Sequence, residues 1–255
     1  MTKDQGKPLV AIPTYNELGS LPSLVAEIFR YLPHCEVLVI DDHSPDGTGR
    51  WCDEYAQSEP RLKCIHRQGK QGLGTALMMA MHYAVEGDYP WIITMDADLS
   101  HPPHYLPELL AEMNSAEKPS PDVVIGSRYT RGGAICGWSR GRRLMSAAVN
   151  LYARLLLGLH VKDCSSGYRC YRTVAVAGID WGRIRSDGFS FEEEFLWRLK
   201  QRGAHLTEIP FTFVERKKGS SKINFQEAFA AFWVIPLLAV GRLSACRRKQ
   251  TTDPC

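Results

Sequence analysis

The chain has 255 residues, 44% of them hydrophobic and 23% charged, with a formal net charge of +3. That length and balance support one sizeable core and exclude a disordered chain, and so small a charge gives no global electrostatic case for nucleic-acid binding. The eight cysteines form no CxxC pair and no zinc-finger spacing, and the first residues, Met1–Lys7, are polar without a signal-peptide core. An intracellular, reduced protein without zinc is therefore expected.

Leu9-Val-Ala-Ile12 is an apolar run stopped by Pro13, which reads as a buried strand, and a polar loop, Pro13–Glu17, follows it. Leu21, Leu24, Val25, Ile28, Phe29 and Leu32 recur by three and four, the stripe of an amphipathic helix. Val37–Ile40 is a second strand ending in Asp41-Asp42, and Ser44–Thr48 has turn and N-cap chemistry. Leu62–Ile65 is a weaker strand, followed by glycine-rich Gly69–Gly74 and a helix whose Met78, Met79 and Met81 read as core fillers. The glycine-rich segment matches neither the phosphate-gripping P-loop nor GxGxxG.

The next strand, Trp91-Ile-Ile-Thr-Met95, ends in Asp96-Ala97-Asp98. Side chains two apart on an extended chain point to one side, so Asp96 and Asp98 can address one point. Paired carboxylates suit a hard cation such as Mg2+ or Mn2+, particularly one that also holds phosphate oxygens; capping of the helix near Pro103 is the other reading. A helix over Leu106–Met113 and a strand at Val123–Gly126 follow. Strand and helix alternate throughout, which predicts an α/β fold with a mostly parallel central sheet and helices on both faces. In such a sheet the loops at 13–17, 41–46 and 96–98 share one rim, where ligands bind.

The second half begins with a basic loop, Ser127–Gly133, and a largely apolar helix, Leu144–Leu157. Asp163–Arg169 reads as a loop running into a strand, and Phe191–Leu196 starts a helix whose glutamates 192–194 read mostly as a solvated face, with one able to turn inward as a polar anchor. Arg216–Lys222 combines cations, glycine and hydroxyls, which suits a loop closing on phosphates, though taken alone an exposed charge run is the commoner reading. Ala228–Gly241 is uncharged and apolar all round, but it falls short of the roughly 20 residues of a spanning helix and contains Pro236. With Arg242 and Arg247-Arg248-Lys249 behind it, it reads as a membrane-surface or partner-docking helix, with a fully buried core helix as the other reading. The expected division is a catalytic domain over 1–223 and a C-terminal helix with a basic tail over 224–255.

In this order the loops resemble the inverting glycosyltransferases of the family-two GT-A fold, most of all the branch that mannosylates lipid phosphates. The resemblance rests on Pro13-Thr-Tyr-Asn-Glu17, Asp41-Asp-His-Ser-Pro-Asp-Gly-Thr48, Gly72-Leu-Gly-Thr-Ala76, Asp96–Pro103, Gly126–Tyr129, Arg142…Ser146…Asn150, Asp163…Ser166–Arg169 and Arg216…Lys222. It implies a GT-A (Rossmann-like) domain in which Pro13, Tyr15, Glu17, Ile40 and Asp42 hold guanine and ribose of GDP-mannose, with Lys70 where the pocket continues. Asp96 and Asp98, with the Ala97 backbone, would face the diphosphate and its Mg2+ or Mn2+; Arg216 and Lys222 would grip it from the closing loop. Arg128, Arg142 and Ser146 would receive the phosphate of a dolichyl or polyprenyl acceptor.

Ser100 stands where some relatives have a metal-binding Gln, and Ser146-Ala-Ala-Val-Asn150 lacks one arginine of the related pattern. The same resemblance implies peripheral association with the cytoplasmic face of a membrane and allows a separate anchoring subunit. A UDP-glucose donor, or a non-catalytic sugar-nucleotide-binding scaffold, are the other readings the sequence leaves open.

Displacing a nucleoside diphosphate from an anomeric carbon builds negative charge on the leaving phosphate, which a divalent metal and the two cations would stabilise. A lipid monophosphate is already anionic near neutral pH, with a second pKa of about 6 by analogy with phosphoserine. Positioning and charge neutralisation are then the main tasks, and direct displacement gives inversion.

Overall fold

A computed structural model describes residues 6–116, 119–186, 188, 190–215 and 236. Seven strands form the main sheet in the order β3-β2-β1-β4-β7-β5-β8: β1 (Leu9–Thr14), β2 (Glu36–Asp41), β3 (Leu62–His66), β4 (Trp91–Thr94), β5 (Val123–Ser127), β7 (Arg169–Arg172) and β8 (Leu206–Pro210). The pairs within β3-β2-β1-β4 and the β5–β8 pair are parallel, while β7 runs antiparallel to both β4 and β5. Two short strands, β6 (Ala134–Cys136) and β9 (Thr212–Val214), pair separately.

Alternation along the strands feeds two cores. Leu9, Ala11, Leu38, Ile40, Ile92 and Ile125 pack on one face with α3 (Leu73–Glu86), α5 (Arg140–Leu157), α6 (Thr173–Ala177) and α7 (Phe191–Gln201). Val10, Ile12, Val37, Val39, Ile93 and Val124 pack on the other with α1 (Leu21–Tyr31), α2 (Thr48–Ala56) and α4 (Leu106–Met113). Helices thus cover both faces, as the near-continuous apolar runs of buried parallel strands require.

The chain winds outward from β1 to β2 and β3, then returns to place β4 on the other side of β1. That reversal opens a crevice beyond the carboxyl ends of β1 and β4, the place where ligands bind in such sheets. Proline is tolerated in β1 because β4 pairs only Leu9–Ala11, leaving Pro13 paired with β2 alone, opposite Ile40.

Three sequence expectations change. The helix expected from Leu144 starts at Arg140, where Ser139 Oγ accepts from the Arg142 N–H at 3.3 Å. Of the methionines, Met81 is fully buried and Met78 partly so, but Met79 faces outward. The glutamates 192–194 are not a solvated face: all are buried, because the first turn of α7 lies beneath the 163–169 loop and meets Arg169 and Arg198. The closing loop with Arg216 and Lys222, and the C-terminal helix apart from Pro236, lie outside the described residues.

Candidate active site

The crevice is walled first by the loops after β1 and β2, which hold each other by short side chains. Asp41 accepts from Thr14 Oγ1 at 3.0 Å and from the Ser44 N–H at 3.0 Å. The backbone N–H groups of Asn16, Glu17 and Leu18 donate to Ser44 Oγ, Thr48 Oγ1 and Asp46 Oδ2 at 2.9, 3.0 and 3.0 Å. These bonds hold Asn16 and its neighbour across the rim, His43, at left-handed φ of 61° and 57°. Non-glycine residues adopt that region at a cost that the surrounding bonds must cover. Tyr15 and Lys70 meet here, the ammonium 4.9 Å above the ring centroid.

Asp42 is buried and lies 3.0 Å from Arg67 Nε, which is also buried. Burial raises the Asp42 carboxyl and lowers the Arg67 guanidinium, with each partner's charge opposing its own shift. Asp42 Oδ2 accepts from the Gln71 N–H at 3.2 Å, while Oδ1 has no aligned hydrogen-bond donor. A buried acceptor on a ligand rim fits a hydroxyl-bearing ligand. Arg67 further reaches Thr75 Oγ1 at 2.8 Å, tying the glycine-rich segment to the rim. No sequence signal had singled it out, since a lone cation after a strand has no pattern.

The β4 exit carries Asp96 and Asp98, both partly exposed, with Ala97 buried between them. Asp98 Oδ1 accepts from the Ser100 N–H at 3.0 Å, and Leu99 is turned to φ 64° to permit it. The Asp96 N–H donates to His101 Nδ1 at 3.0 Å, and His101 Nε2 lies 3.8 Å from Asp96 Oδ2. His101 is buried, stacked on Tyr168 with ring centroids 5.0 Å apart. Burial holds its pKa below the usual range despite the nearby aspartates, so a neutral ring with an unprotonated Nδ1 braces the Asp96 backbone.

The floor is the 163–169 loop. Thr94 Oγ1 donates to the Gly167 carbonyl at 2.8 Å. A Cβ on Gly167 would sit 3.3 Å from Glu192 Oε1 and 3.9 Å from Asp96 Oδ1, so the bare backbone lets the loop run close against Glu192 without displacing it. Beneath it Arg169, fully buried, pairs with Glu192 at 2.7 Å and donates to the Cys164 carbonyl at 2.6 Å. Burial lifts the Glu192 carboxyl, with Arg169 opposing and Asp96 adding to the rise.

The far wall is α5 with the loop after β5. Arg128 is held in a fork by Asp163, Nε to Oδ2 at 2.8 Å and Nη2 to Oδ1 at 2.7 Å, and also donates to Ser165 Oγ at 2.9 Å. Asn150 Oδ1 accepts from the Cys164 N–H at 2.6 Å, fixing α5 to the same loop. Arg142 pairs with Glu215 at 2.6 Å, its guanidinium 4.1 Å from the Trp138 ring centroid, and Ser146 lies beside Tyr129. The structure therefore brings Pro13, Tyr15, Glu17, Ile40, Asp42 and Lys70 to one wall, Asp96–Asp98 to the β4 exit, and Arg128, Arg142 and Ser146 to the opposite side. Asp163, His101 and Arg169 stood inside the sequence segments already singled out, but their bracing roles depend on contacts that no spacing encodes.

Asp96 and Asp98 supply hard oxygen donors, and among the described residues no further His, Cys, Asp or Glu completes a cage around them. That donor set fits Mg2+ or Mn2+, which keep several positions for water and phosphate oxygens.

A mostly parallel α/β sheet with an acidic crevice at its switch point defines a class of protein that binds its ligands beyond the carboxyl ends of the strands. Comparison with known proteins specifies the family. Residues 9–179 match the family model described as "Glycosyl transferase family 2". The chain is 41% identical over 216 residues to an undecaprenyl-phosphate mannosyltransferase of Micrococcus luteus, covering 85% of this chain and 87% of that protein. It is 38% identical over 247 residues to a polyprenol monophosphomannose synthase of Mycolicibacterium smegmatis, covering 94% and 90%. Among solved structures, glucosyl-3-phosphoglycerate synthase from Mycobacterium tuberculosis, in complex with Mn2+, UDP and phosphoglyceric acid, superposes with a TM-score of 0.65. That match has 18% identity, covers 90% of this chain and 78% of that one, and establishes the shared fold. The chain belongs to glycosyl transferase family 2 and is a glycosyltransferase.

Proposed function

We propose that this enzyme transfers mannose from GDP-mannose to a dolichyl or polyprenyl phosphate, with inversion, giving a β-linked lipid mannosyl phosphate and GDP. The observation that carries the reading is the pair of relatives, 41% and 38% identical across most of this chain and named for mannosyl transfer to undecaprenyl phosphate and polyprenol. The rim supports it. Asp42, a buried carboxylate on the rim, takes a ribose hydroxyl, and Pro13, Tyr15, Glu17, Ile40 and Lys70 border the guanosine.

Asp96 and Asp98 would hold Mg2+ or Mn2+, which when bound supplies positive charge opposite the leaving diphosphate. Arg216 and Lys222 are assigned to the same charge from the closing loop. Arg142 and Ser146 receive the acceptor phosphate, Arg142 exchanging Glu215 for it. Arg128 sets the electrostatics of the acceptor side from its Asp163 fork. No side chain needs to remove a proton from an acceptor that arrives as an anion.

A lipid acceptor calls for a membrane surface. On α5, Leu144, Leu151 and Leu155 are 75%, 52% and 72% exposed, and with Ala147 and Ala148 they line one helical stripe, flanked by exposed Arg140 and Arg143. An apolar stripe edged by arginines matches an anionic membrane surface. Among the described residues no helix is long and apolar enough to cross a membrane. Peripheral docking at the cytoplasmic face therefore completes the reading, with Ala228–Gly241 and a membrane-anchoring subunit as further contacts.

The test is radiolabel transfer into organic-extractable lipid, using vesicles that contain polyprenyl phosphate and either GDP-mannose or UDP-glucose. Label from GDP-mannose alone is expected. Label from UDP-glucose instead overturns the donor assignment, and label from neither overturns the reaction.

A further inference from the structure

A second set of ligand-type side chains stands away from the crevice, where α2 crosses the edge strand β3. Cys64 and His66 are two apart on β3 and so share a face. Helix α2 packs on this strand and contributes Asp53. Asp53 Oδ1 and His66 Nε2 lie 2.9 Å apart, and one ligand atom from each of Asp53, Cys64 and His66 falls within 4.8 Å of the other two. The Cys52 thiol adjoins that of Cys64, and both are unbridged.

We propose that Asp53, Cys64 and His66 form a binding site for a borderline-soft divalent cation of the zinc class, clamping α2 to the sheet edge. The donor chemistry decides the ion. One sulfur, one imidazole nitrogen and one carboxylate oxygen suit Zn2+ or Co2+, whereas Mg2+ and Mn2+ favour all-oxygen sets such as Asp96 and Asp98. Tetrahedral zinc with bonds of about 2.0–2.3 Å places its ligand atoms roughly 3.5 Å apart. The cluster therefore needs only side-chain adjustment to close. The Asp53 and His66 side chains are 59% and 46% exposed, which gives an ion a path in and leaves a fourth position for water or the Cys52 thiol.

The imidazole is also backed as a ligand should be. A Cβ on Gly49 would stand 3.0 Å from His66 Nδ1 and 2.9 Å from Asp41 Oδ2. Glycine there lets the Nδ1 edge of the ring lie against α2. That arrangement leaves Nε2, the atom beside Asp53, as the nitrogen facing an ion.

The sequence argument against zinc rested on local Cys and His spacing. This set is discontinuous, drawn from a helix and a strand, and no such spacing reports it. Its neighbour in the chain is Arg67, which grips Asp42, so the clamp braces the strand end beside the nucleotide rim.

Cobalt titration of the full chain, with its thiols kept reduced and Mg2+ in excess, tests the site. A thiolate-to-cobalt charge-transfer band in the near ultraviolet reports sulfur coordination, which Asp96 and Asp98 cannot produce. The band is expected in the wild type and in Cys136→Ser, absent in Cys64→Ser, and shifted at least tenfold to higher cobalt in His66→Ala and Asp53→Asn. Zn2+ at a hundredfold excess over its Kd should raise the thermal midpoint by roughly 5 °C in the wild type and not in Cys64→Ser. Far-ultraviolet circular dichroism checks that each variant is folded. A wild type without the band, a band that survives Cys64→Ser, or His66 and Asp53 variants that bind cobalt as tightly as the wild type would each overturn the site.

Discussion

The two walls of the crevice are held by different chemistry. On the side proposed for the nucleotide, most of the bonding is by short side chains: Thr14 and Ser44 donate to Asp41, Thr48 donates to Asp46, and Ser44, Thr48 and Asp46 accept from backbone N–H groups of the loop after β1, with Asp42–Arg67 adding a buried ion pair. On the side proposed for the acceptor the anchors are ion pairs with buried carboxylates: Arg128 on Asp163, Arg169 on Glu192, Arg198 on Glu194. Short polar side chains satisfy a loop at little desolvation cost, whereas a buried ion is stable only while its partner remains. Away from the Asp42–Arg67 pair, the first wall should therefore tolerate substitution in the fold and lose chemistry, and the second should lose the fold first.

Asp98→Ala is the sharpest break on the first side. It removes a carboxylate from the β4 exit and one acceptor for the Ser100 N–H. Transfer should fall by roughly 100- to 10,000-fold, while stability changes by about 1 kcal/mol, one partly exposed hydrogen bond. Initial rates at saturating donor and a urea titration give the two numbers. A variant that keeps full activity would remove the metal from the proposed mechanism.

Asp163→Ala should invert that pattern. The Arg128 side chain is 8% exposed and that of Asp163 is 0% exposed, so truncation leaves a guanidinium buried without its counter-ion. A loss of about 3–5 kcal/mol in urea unfolding is expected. A loss below 1 kcal/mol would mean that the contrast between the walls is wrong.

The same contrast explains what could be read in advance. The nucleotide wall was legible because strand ends, turn residues and paired aspartates are local: Asp41-Asp42 and Asp96-Ala-Asp98 mark themselves by following apolar runs. Pro13 and Ile40 even proved to be cross-strand partners. The acceptor wall was only half legible. Arg128 and Asp163 both lie in segments with a sequence signal, yet their union spans 35 residues and depends on β7 being inserted antiparallel between β4 and β5. Glutamates 192–194 misled because three adjacent charges look solvated unless their contacts with buried Arg169 and with Arg198 are known. Arg67 was invisible for the same reason.

Glu193 gives a quieter probe of the acceptor side. It is buried, Oε2 has no hydrogen-bond partner, and burial pushes its carboxyl up to about 7 from an ordinary 4.5. The folded chain then holds a proton that the unfolded chain has released, so between about pH 4.5 and 7 this residue's contribution to stability falls as pH rises. Glu193→Gln removes the charge. It should be more stable than the wild type by about 3 kcal/mol at pH 8, with the gain vanishing toward pH 4.5. Denaturant midpoints across that range decide it; a gain that grows on acidification has the wrong sign.

His101 probes where the two walls meet, because it braces Asp96 while stacking on Tyr168 of the loop below. His101→Phe keeps a flat ring for Tyr168 and for Phe211, which meets it edge-on. It removes the acceptor of the Asp96 N–H, whose loss costs about 1–3 kcal/mol wherever the group stays buried. Part of that cost should be relieved by a shift of the Asp96–Asp98 turn. The metal concentration for half-maximal activity should then rise roughly tenfold, equivalent to about 1.4 kcal/mol, while kcat at saturating metal falls less. If the metal requirement is unchanged and only stability drops, His101 serves the core alone. A change in both would place it as the residue through which the acceptor floor sets the geometry of the β4 carboxylates.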